Sequence, residues 1–456
     1  MSLNPDVRGS ALAGRIAERL NARLQQTVRP PVALALSGGG DSMALLEVAS
    51  DWARSAGRRL VAITVDHGLS PTSRDWSRTC ARAAGAAGAD WLERRWNGDK
   101  PVTGLPAAAR RARHALIAEA AREVGAKVVL LAHTADDVAE SDWMRSRGST
   151  LGGLREWSPS PAWPEGRGLM LLRPMLGERR EDLREWLGET GRDWIEDPGN
   201  ADARFARSRA RVALNPLPEG EGLRLAERSD APSRKGEGRG LTGTHHTPHP
   251  FAQERRHAVV RSSPLPLGEG YEVDRSVRLP DLAAMLLCAS GSTTPPRGDR
   301  LERLTARLNA GEDFTATLAG ARIEARGTTV TVGREAGELR RRPAPDIALQ
   351  PGVSAVWDGR YEITAREPDW IVTAAIGRLN ALSRPDRAIV NTIPAWARGA
   401  LPVLIRDGAP APVLAWRQAR VRSLAPRRLS LALGETTQES DLDRTIHGET
   451  APPDLF

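Results

Sequence analysis

The stretch Val32–Ser50, VALALSGGGDSMALLEVAS, sets three consecutive glycines between an apolar, β-type run and a helix-type run. Glycine enters positive φ at little cost and lets a backbone come close to a ligand. A helix that begins just after such a turn aims its free N–H groups and positive dipole end at an anion. The stretch therefore reads as strand, phosphate-type turn, helix. It is not the ordinary P-loop, which ends in Gly-Lys-Ser/Thr; here Asp41 and Ser42 follow Gly40, and no lysine is present. A carboxylate repels phosphate unless a cation lies between them, so Asp41 implies Mg²⁺ bridging to nucleotide oxygens. A loop without the lysine suits a departing pyrophosphate better than transfer of a terminal phosphoryl group. The plain alternative is an Asp helix cap after a tight turn.

Outward from this turn the pattern alternates. A helix is predicted over 11–25, then strand Val32–Leu36, helix Met43–Ala56, strand Leu60–Val65 and helix Pro71–Ala87. Strand Trp91–Trp96, helix Pro106–Val124, strand Lys127–Ala132, strand Leu169–Arg173 and helix Glu178–Thr190 follow. Continuous apolar strands alternating with helices predict an α/β fold, a doubly wound parallel sheet covered on both faces. Ligands of such sheets bind beyond the carboxyl ends of the strands, and the chemistry-bearing stretches all fall there.

The alternation stops at about residue 215. Residues 216–275 are rich in Pro, Gly, Ser and charge, with near copies PLPEGEG and PLPLGEG at the two ends, and predict a largely disordered insertion. His245, His246 and His249 lie inside it without Cys or acidic partners at ligand spacing, so they read as exposed loop residues. Order is predicted to resume near Val277: LPDLAAMLLCAS and GDRLERLTARLNAG as helices, FTATLAGARIEARGTTVTVGRE as strands, and RYEITA and APVLAWRQ as short strands. The domain reading is 1–215 nucleotide domain, 216–275 insertion, 276–345 helical and strand domain, and 346–456 small mixed domain, the last two α+β in class.

Composition sets bounds. A chain of 456 residues is too long for one ordinary domain. Net charge of +8 favours a polyanionic partner. The two cysteines, Cys80 and Cys288, form no CxxC, which argues against a zinc site, an iron–sulfur cluster or a disulfide framework, although a single long-range pair is allowed. Charges break the N-terminal apolar run and no 18-residue apolar span follows, so a soluble, cytoplasmic protein without membrane association is predicted.

Four further stretches carry chemistry. His67 and Gly68 in VDHGL, Val65–Leu69, sit where an adenosine would lie if pyrophosphate fills the first turn; a simple turn is the alternative for His67. In AHTADDVAES, Ala132–Ser141, a helix from Ala135 places Asp137 and Glu140 at i,i+3 and Asp136 and Glu140 at i,i+4, beside His133. Such crowded carboxylates call for a metal or an ammonium group, or form a solvated acidic helix start. Arg110 and Arg113 share a helical face and read as a phosphate or carboxylate clamp, or as a salt-bridging surface. Arg204, Arg207, Arg209 and Arg211 crowd a short helix after DPGN and suit RNA phosphate contact, with ordinary helix-surface charge as the alternative.

SGGGDS resembles the pyrophosphate-loop ATPases. With VDHGLS, PAAARRAR, AHTADDVAES, RGSTLGGL, LLRPML and WIEDPGNADARFARSRAR in the same order, residues 30–214 resemble the tRNA(Ile)-lysidine synthetases. Departures are Ser70 for Arg, Ser141 for Thr, Gly199 for Ser and Ser208 for Asn. The resemblance implies ATP and Mg²⁺ as cofactors, with L-lysine and a tRNA(Ile) bearing a CAU anticodon as partners. It implies a C–N ligation in which cytosine O2 is adenylated and lysine then displaces AMP from C2. A homodimer is entertained as the assembly, and the 276–345 domain as contacting tRNA. Under that reading Asp41, His133, Asp137, Glu140 and Arg113 are catalytic. Ser37, Gly38, Gly39, Gly40, Asp41, Ser42, Asp66 and His67 bind the nucleotide, with Mg²⁺ on Asp41. Asp136, Asp137, Glu140, Arg110 and Arg113 bind substrate, and Arg204, Arg207, Arg209 and Arg211 bind tRNA. The rivals are a tRNA thiolase, which needs a thiol or cluster, a small-molecule synthetase, and a non-catalytic RNA-binding module.

Overall fold

The computed structural model describes residues 5–98, 100–149, 152–196, 206–214, 262–264, 270–275, 277–408 and 411–444. Most of them form one compact unit; the described residues of 138–153 and 206–214 form a second, treated separately below.

The elements of the first part are α1 (Pro5–Arg23), β1 (Val32–Ala35), α2 (Gly40–Ser55), β2 (Leu60–Asp66), α3 (Ser73–Ala87) and β3 (Asp90–Arg95). There follow α4 (Leu105–Glu123), β4 (Val128–Leu130), α5 (Ala135–Arg145), β5 (Trp157–Pro159), β6 (Met170–Leu172) and α6 (Arg180–Glu189). The strands order as β3-β2-β1-β4-β6-β5. All neighbours pair in parallel except β5, an antiparallel edge strand absent from the sequence reading. The predicted doubly wound parallel sheet is present.

Strand alternation splits the core. Val32 and Leu34 face α1, α2, α3 and α6 on one side, whereas Ala33, Val61 and Ile63 face Ile117 and Ala121 of α4 on the other. Leu12, Ile16 and Leu20 make the buried i,i+4 stripe of α1. The strand order reverses between β1 and β4, one connection leading to β2 and the next element pair returning on the far side. The loops after β1 and β4 therefore diverge and leave a crevice.

The C-terminal region holds three further sheets of five, four and three strands. Helices Leu279–Ser290 and Asp299–Asn309 and strands Phe314–Leu318, Ala321–Arg326 and Thr329–Arg334 agree with the sequence reading. Two readings are corrected. The stretch assigned to the insertion ends earlier than 275, because Gly270–Asp274 is a strand paired in register with Thr329–Gly333; its apolar Tyr271 and Val273 are buried in that sheet's core. APVLAWRQ is not one strand: Val413–Leu414 pairs briefly and Ala415–Gln418 turns into a helix that buries Trp416. Residues 215–261, with His245, His246 and His249, lie outside the described residues. Cys80 and Cys288 are both free and buried, so no long-range disulfide forms between them.

The chain's last described segment returns to the first domain. Arg58 and Glu439 form an ion pair at 3.0 Å with side chains 0% and 2% exposed. Glu439 also accepts from the Gln25 N–H, and Trp157 Nε1 donates to the Thr436 carbonyl. Among the described residues no helix is long and apolar enough to cross a membrane.

Candidate active site

The glycine turn sits at the switch point, between the ends of β1 and β4. Gly38 has φ +85, a region L side chains rarely adopt. A Cβ there would come within 2.5 Å of Ile195 Cδ1, and the Gly38 carbonyl accepts from the Ile195 N–H at 2.9 Å. The glycine is thus required by its backbone and by a neighbouring strap at Trp194–Glu196. Gly39 is the N-cap of α2, with no side-chain cap bond. Asp41 therefore does not cap the helix, and that simple alternative fails. Ser37 Oγ donates to Ser42 Oγ at 3.0 Å, and Ser42 Oγ to the Gly39 carbonyl at 2.8 Å, so the two hydroxyls tie the turn.

A cation already lies beside Asp41, supplied by α6. Arg180 Nε donates to Asp41 Oδ2 at 3.0 Å, and Arg180 Nη2 lies 3.4 Å from Asp137 Oδ2. Asp137 is further held by the Thr134 N–H at 3.0 Å and Oγ1 at 3.2 Å. Burial pushes the Asp41 carboxyl above its ordinary range, against the pull of Arg180. Arg184, one turn along α6, packs its side chain beside Gly40 and reaches Glu196 at 3.3 Å. The positive charge that a P-loop lysine supplies from within its own turn comes here from another helix.

Asp136 takes a different place from the one its spacing suggested. Its Oδ2 accepts from the backbone N–H of Arg180 at 2.7 Å, capping the first turn of α6. The Ala135 N–H donates in return to the Glu178 carbonyl at 2.9 Å. Glu178 is held by Arg15 at 2.6 Å and Arg19 at 2.8 Å. Asp136 is a positioning residue that clasps α5 to α6 and aims Arg180.

Magnesium fits as a partner of Asp41: Asp41 Oδ1 is buried and, among the described residues, accepts no hydrogen bond. No group of three or more His, Cys, Asp or Glu side chains is poised for a metal among the described residues. The chain offers Asp41 and Asp137, and phosphate oxygens and water would complete the shell.

The opposite wall is basic. Asp66 turns inward, accepting from the Gly68 N–H at 2.7 Å and Arg95 Nε at 3.1 Å. It shapes the turn that presents His67 and is buried. Burial, then Arg113 beside it, pushes the His67 imidazole below its usual range. His114, which the sequence reading left without a role, is driven down to about 3 by burial and by Arg110, Arg113, His133 and Arg173. Arg173 Nε donates to His133 Nδ1 at 3.2 Å, so the proton of neutral His133 lies on Nε2. Arg173 is pushed down to about 10 by burial. Arg110, Arg113 and Arg173 thus make one cationic wall suited to phosphate or carboxylate, with the His67 and His133 rings beside it.

In the second unit, Glu140 of α5 is 1% exposed and paired with Arg211 Nε at 2.7 Å. Arg211 lies on α7 (Ala206–Leu214) and pairs with this buried carboxylate. On the same helix Arg209 is exposed, Arg207 is half-buried and Ser208 is buried. Arg204 lies outside the described residues.

Sequence reasoning missed Arg180, Arg184, Arg173 and Thr134. Arg173 was visible inside LLRPML, and Arg180 and Arg184 as an i,i+4 pair seven and eleven residues beyond it; only the third dimension joins that pair to Asp41.

Comparison with known proteins agrees with this geometry. Residues 12–217 match the PP-loop domain family. The chain is 43% identical over 445 residues to a tRNA(Ile)-lysidine synthase of Caulobacter vibrioides, covering 93% of this chain and 98% of that one. A tRNA(Ile)-lysidine synthase of Hyphomonas neptunium is 35% identical, with 78% of this chain and 93% of that one covered. One of Rhizobium meliloti is 33% identical, with 76% of each covered. The first of these relationships spans nearly the whole of both chains, and the chain belongs to the tRNA(Ile)-lysidine synthase family.

Proposed function

We propose that this enzyme uses ATP to join L-lysine to C2 of the wobble cytidine of a tRNA(Ile) with a CAU anticodon, forming lysidine. The observation that carries the reading is the convergence, at one switch point, of a lysine-free glycine turn with Asp41, Asp137 and Arg180. The cytosine O2 attacks the α-phosphorus of ATP, the bond to the pyrophosphate oxygen breaks, and pyrophosphate leaves along the Ser37–Ser42 turn. The α2 N-terminus and Arg180 and Arg184 stabilise its charge as it develops. Magnesium held by Asp41 would supply further compensation for the departing pyrophosphate.

In the second half-reaction a lysine amine attacks C2, the C2–O bond breaks, and AMP departs. The amine must first lose a proton, since its ordinary pKa is about 10.4. Asp137 and Glu140 are the carboxylates assigned to hold the ammonium group, one of them accepting its proton. His133, its Nδ1 engaged by Arg173, presents Nε2–H as a donor that orients the substrate. Arg113, with Arg110 beside it, clamps a lysine carboxylate or a phosphate. Exposed Arg209 and half-buried Arg207 are assigned to the tRNA backbone.

The test is incorporation of labelled lysine into tRNA by the purified enzyme with Mg·ATP. We expect incorporation only when the wobble base is cytidine, with AMP and pyrophosphate released. Failure with lysine but turnover with a sulfur donor would overturn the substrate choice and point to thiolation.

A further inference from the structure

Two parallel strands of the catalytic sheet end side by side, Leu130 of β4 lying in register with Leu172 of β6. His133 follows the first strand and Arg173 the second, and the arginine reaches across to the histidine. Arg173 is 6% exposed, and its Nε donates to His133 Nδ1 at 3.2 Å. The guanidinium is held in place by the edge strand β5. Arg173 Nη1 donates to the Arg155 carbonyl at 2.8 Å and to Ser158 Oγ at 2.9 Å, and the Arg173 backbone N–H donates to the Glu156 carbonyl at 2.8 Å. The strand is itself tied down. Trp157 Nε1 donates to the Thr436 carbonyl at 2.9 Å, and Glu156 pairs with Arg23 of α1 at 3.0 Å. With three residues, one of them a proline, β5 adds little to the sheet ladder; its contacts fix the plane of one arginine.

The consequence lies in what an arginine can do. A guanidinium donates hydrogen bonds and never accepts them, and even when burial lowers it to about 10 it stays charged at pH 7. An imidazole nitrogen that accepts from it carries no proton, so the single proton of the ring sits on the other nitrogen. In His133 the Nδ1 lone pair is engaged, and the protonated Nε2 has none to offer. Such a ring donates through Nε2 and takes up no further proton while the arginine stays in place.

We propose that Arg173, anchored by β5, is a positioning residue that fixes His133 as a hydrogen-bond donor through Nε2. The inference deepens the proposed function and, in its catalytic consequence, rests on it. The proton lost by the lysine amine then goes to a carboxylate, because His133 has no free lone pair to receive it, and the histidine serves as a donor throughout.

Nitrogen-15 NMR of the full chain, labelled in histidine and arginine and with His133 assigned from a His133→Ala spectrum, reads the tautomer. In the wild type at pH 7 we expect Nε2 protonated, Nδ1 unprotonated, and a nitrogen–nitrogen scalar coupling across the bond from Arg173 Nε. In Arg173→Met the coupling is lost and an Nδ1–H form appears. In Arg173→Glu, whose carboxylate accepts, the proton moves to Nδ1. Lysidine formation is the second arm. Arg173→Met should lower kcat on the order of tenfold, less than the ~10²–10³ of deleting a donor outright. In a His133→Ala background the same change should cost less than about twofold, because it acts through that ring. A wild-type His133 protonated at Nδ1, or on both nitrogens, overturns the proposal without any variant having to fold. A folded Arg173→Met chain that keeps the wild-type tautomer overturns it too, as does a full tenfold loss added to His133→Ala. A chain that makes no lysidine refutes the proposed function and leaves the NMR result to decide this inference.

Discussion

Replacing Arg180 by Gln tests the central geometry most directly. Arg180 is 17% exposed and bridges Asp41, 22% exposed, and Asp137, 7% exposed. Among its contacts, removing it deletes a charge-assisted hydrogen bond to Asp41 at 3.0 Å and a weaker contact to Asp137 at 3.4 Å. A hydrogen bond to a charged group contributes about 1.5–3 kcal/mol. The gross attraction at that distance, for an effective dielectric of about 20, is about 5 kcal/mol, part of which offsets the desolvation of the guanidinium. Arg180→Gln is therefore expected to lose about 3 kcal/mol of unfolding free energy in the absence of divalent ions. The two carboxylates are then left to attract a cation. Magnesium at ten times its dissociation constant would return about 1.4 kcal/mol, whereas the wild type, with the arginine in place, gains little from magnesium alone. Urea unfolding of both proteins with and without magnesium measures this, and electron paramagnetic resonance of added Mn²⁺ counts the ion bound. A loss below about 1 kcal/mol, or equal stabilisation of both proteins by magnesium, refutes the reasoning.

Other expectations follow from the same contacts. The His114 imidazole should stay neutral down to about 3, against an ordinary value of about 6.5; an NMR titration that places it near the ordinary value contradicts the cationic wall. Gly38→Ala puts a Cβ 2.5 Å from Ile195 Cδ1 at φ +85; ATP–pyrophosphate exchange should fall at least about tenfold, with a stability loss of about 1–3 kcal/mol. Glu439→Ala leaves Arg58 buried without its carboxylate and should cost about 3–5 kcal/mol in chemical denaturation. Burial raises Glu178, but hydrogen bonds from Arg15 and Arg19 outweigh it and hold the carboxyl below its usual range. The stability it contributes is present above the unfolded pKa of about 4.3 and is lost as pH falls through the folded value. Glu178→Gln should flatten the acid limb of the stability–pH curve.

The parallel sheet was legible because its strands are continuous apolar runs and its helices carry regular stripes; short-range pattern and tertiary position agree there. The edge strand Trp157–Pro159 escaped because three residues, one of them proline, carry no periodic signal. The Gly270–Asp274 strand escaped because its neighbours in sequence are low in complexity, although Tyr271 and Val273 alternate inward. At the site, Asp41, Asp137 and His133 were visible as motif residues. The role of Asp136 was not, since its partner is a backbone N–H 44 residues away in sequence. Arg211 was legible as a charge, but its pairing with Glu140 was not. Sequence spacing reports which residues can share a helix face; it does not report which distant group will neutralise them.

The Arg58–Glu439 pair has a bearing on how the molecule matures. Its two halves lie 381 residues apart in sequence, so at about 5–20 residues per second the ribosome adds the second roughly 20–75 s after the first. Until then the guanidinium in the nascent catalytic half has no counter-ion from the tail, and the pocket that receives it is open to water. Completion of the fold thereby waits on synthesis of the Glu439 segment: a chain stalled or cleaved before Glu439 would carry its glycine turn and its acidic pair, yet lack the staple that closes the domain beneath them.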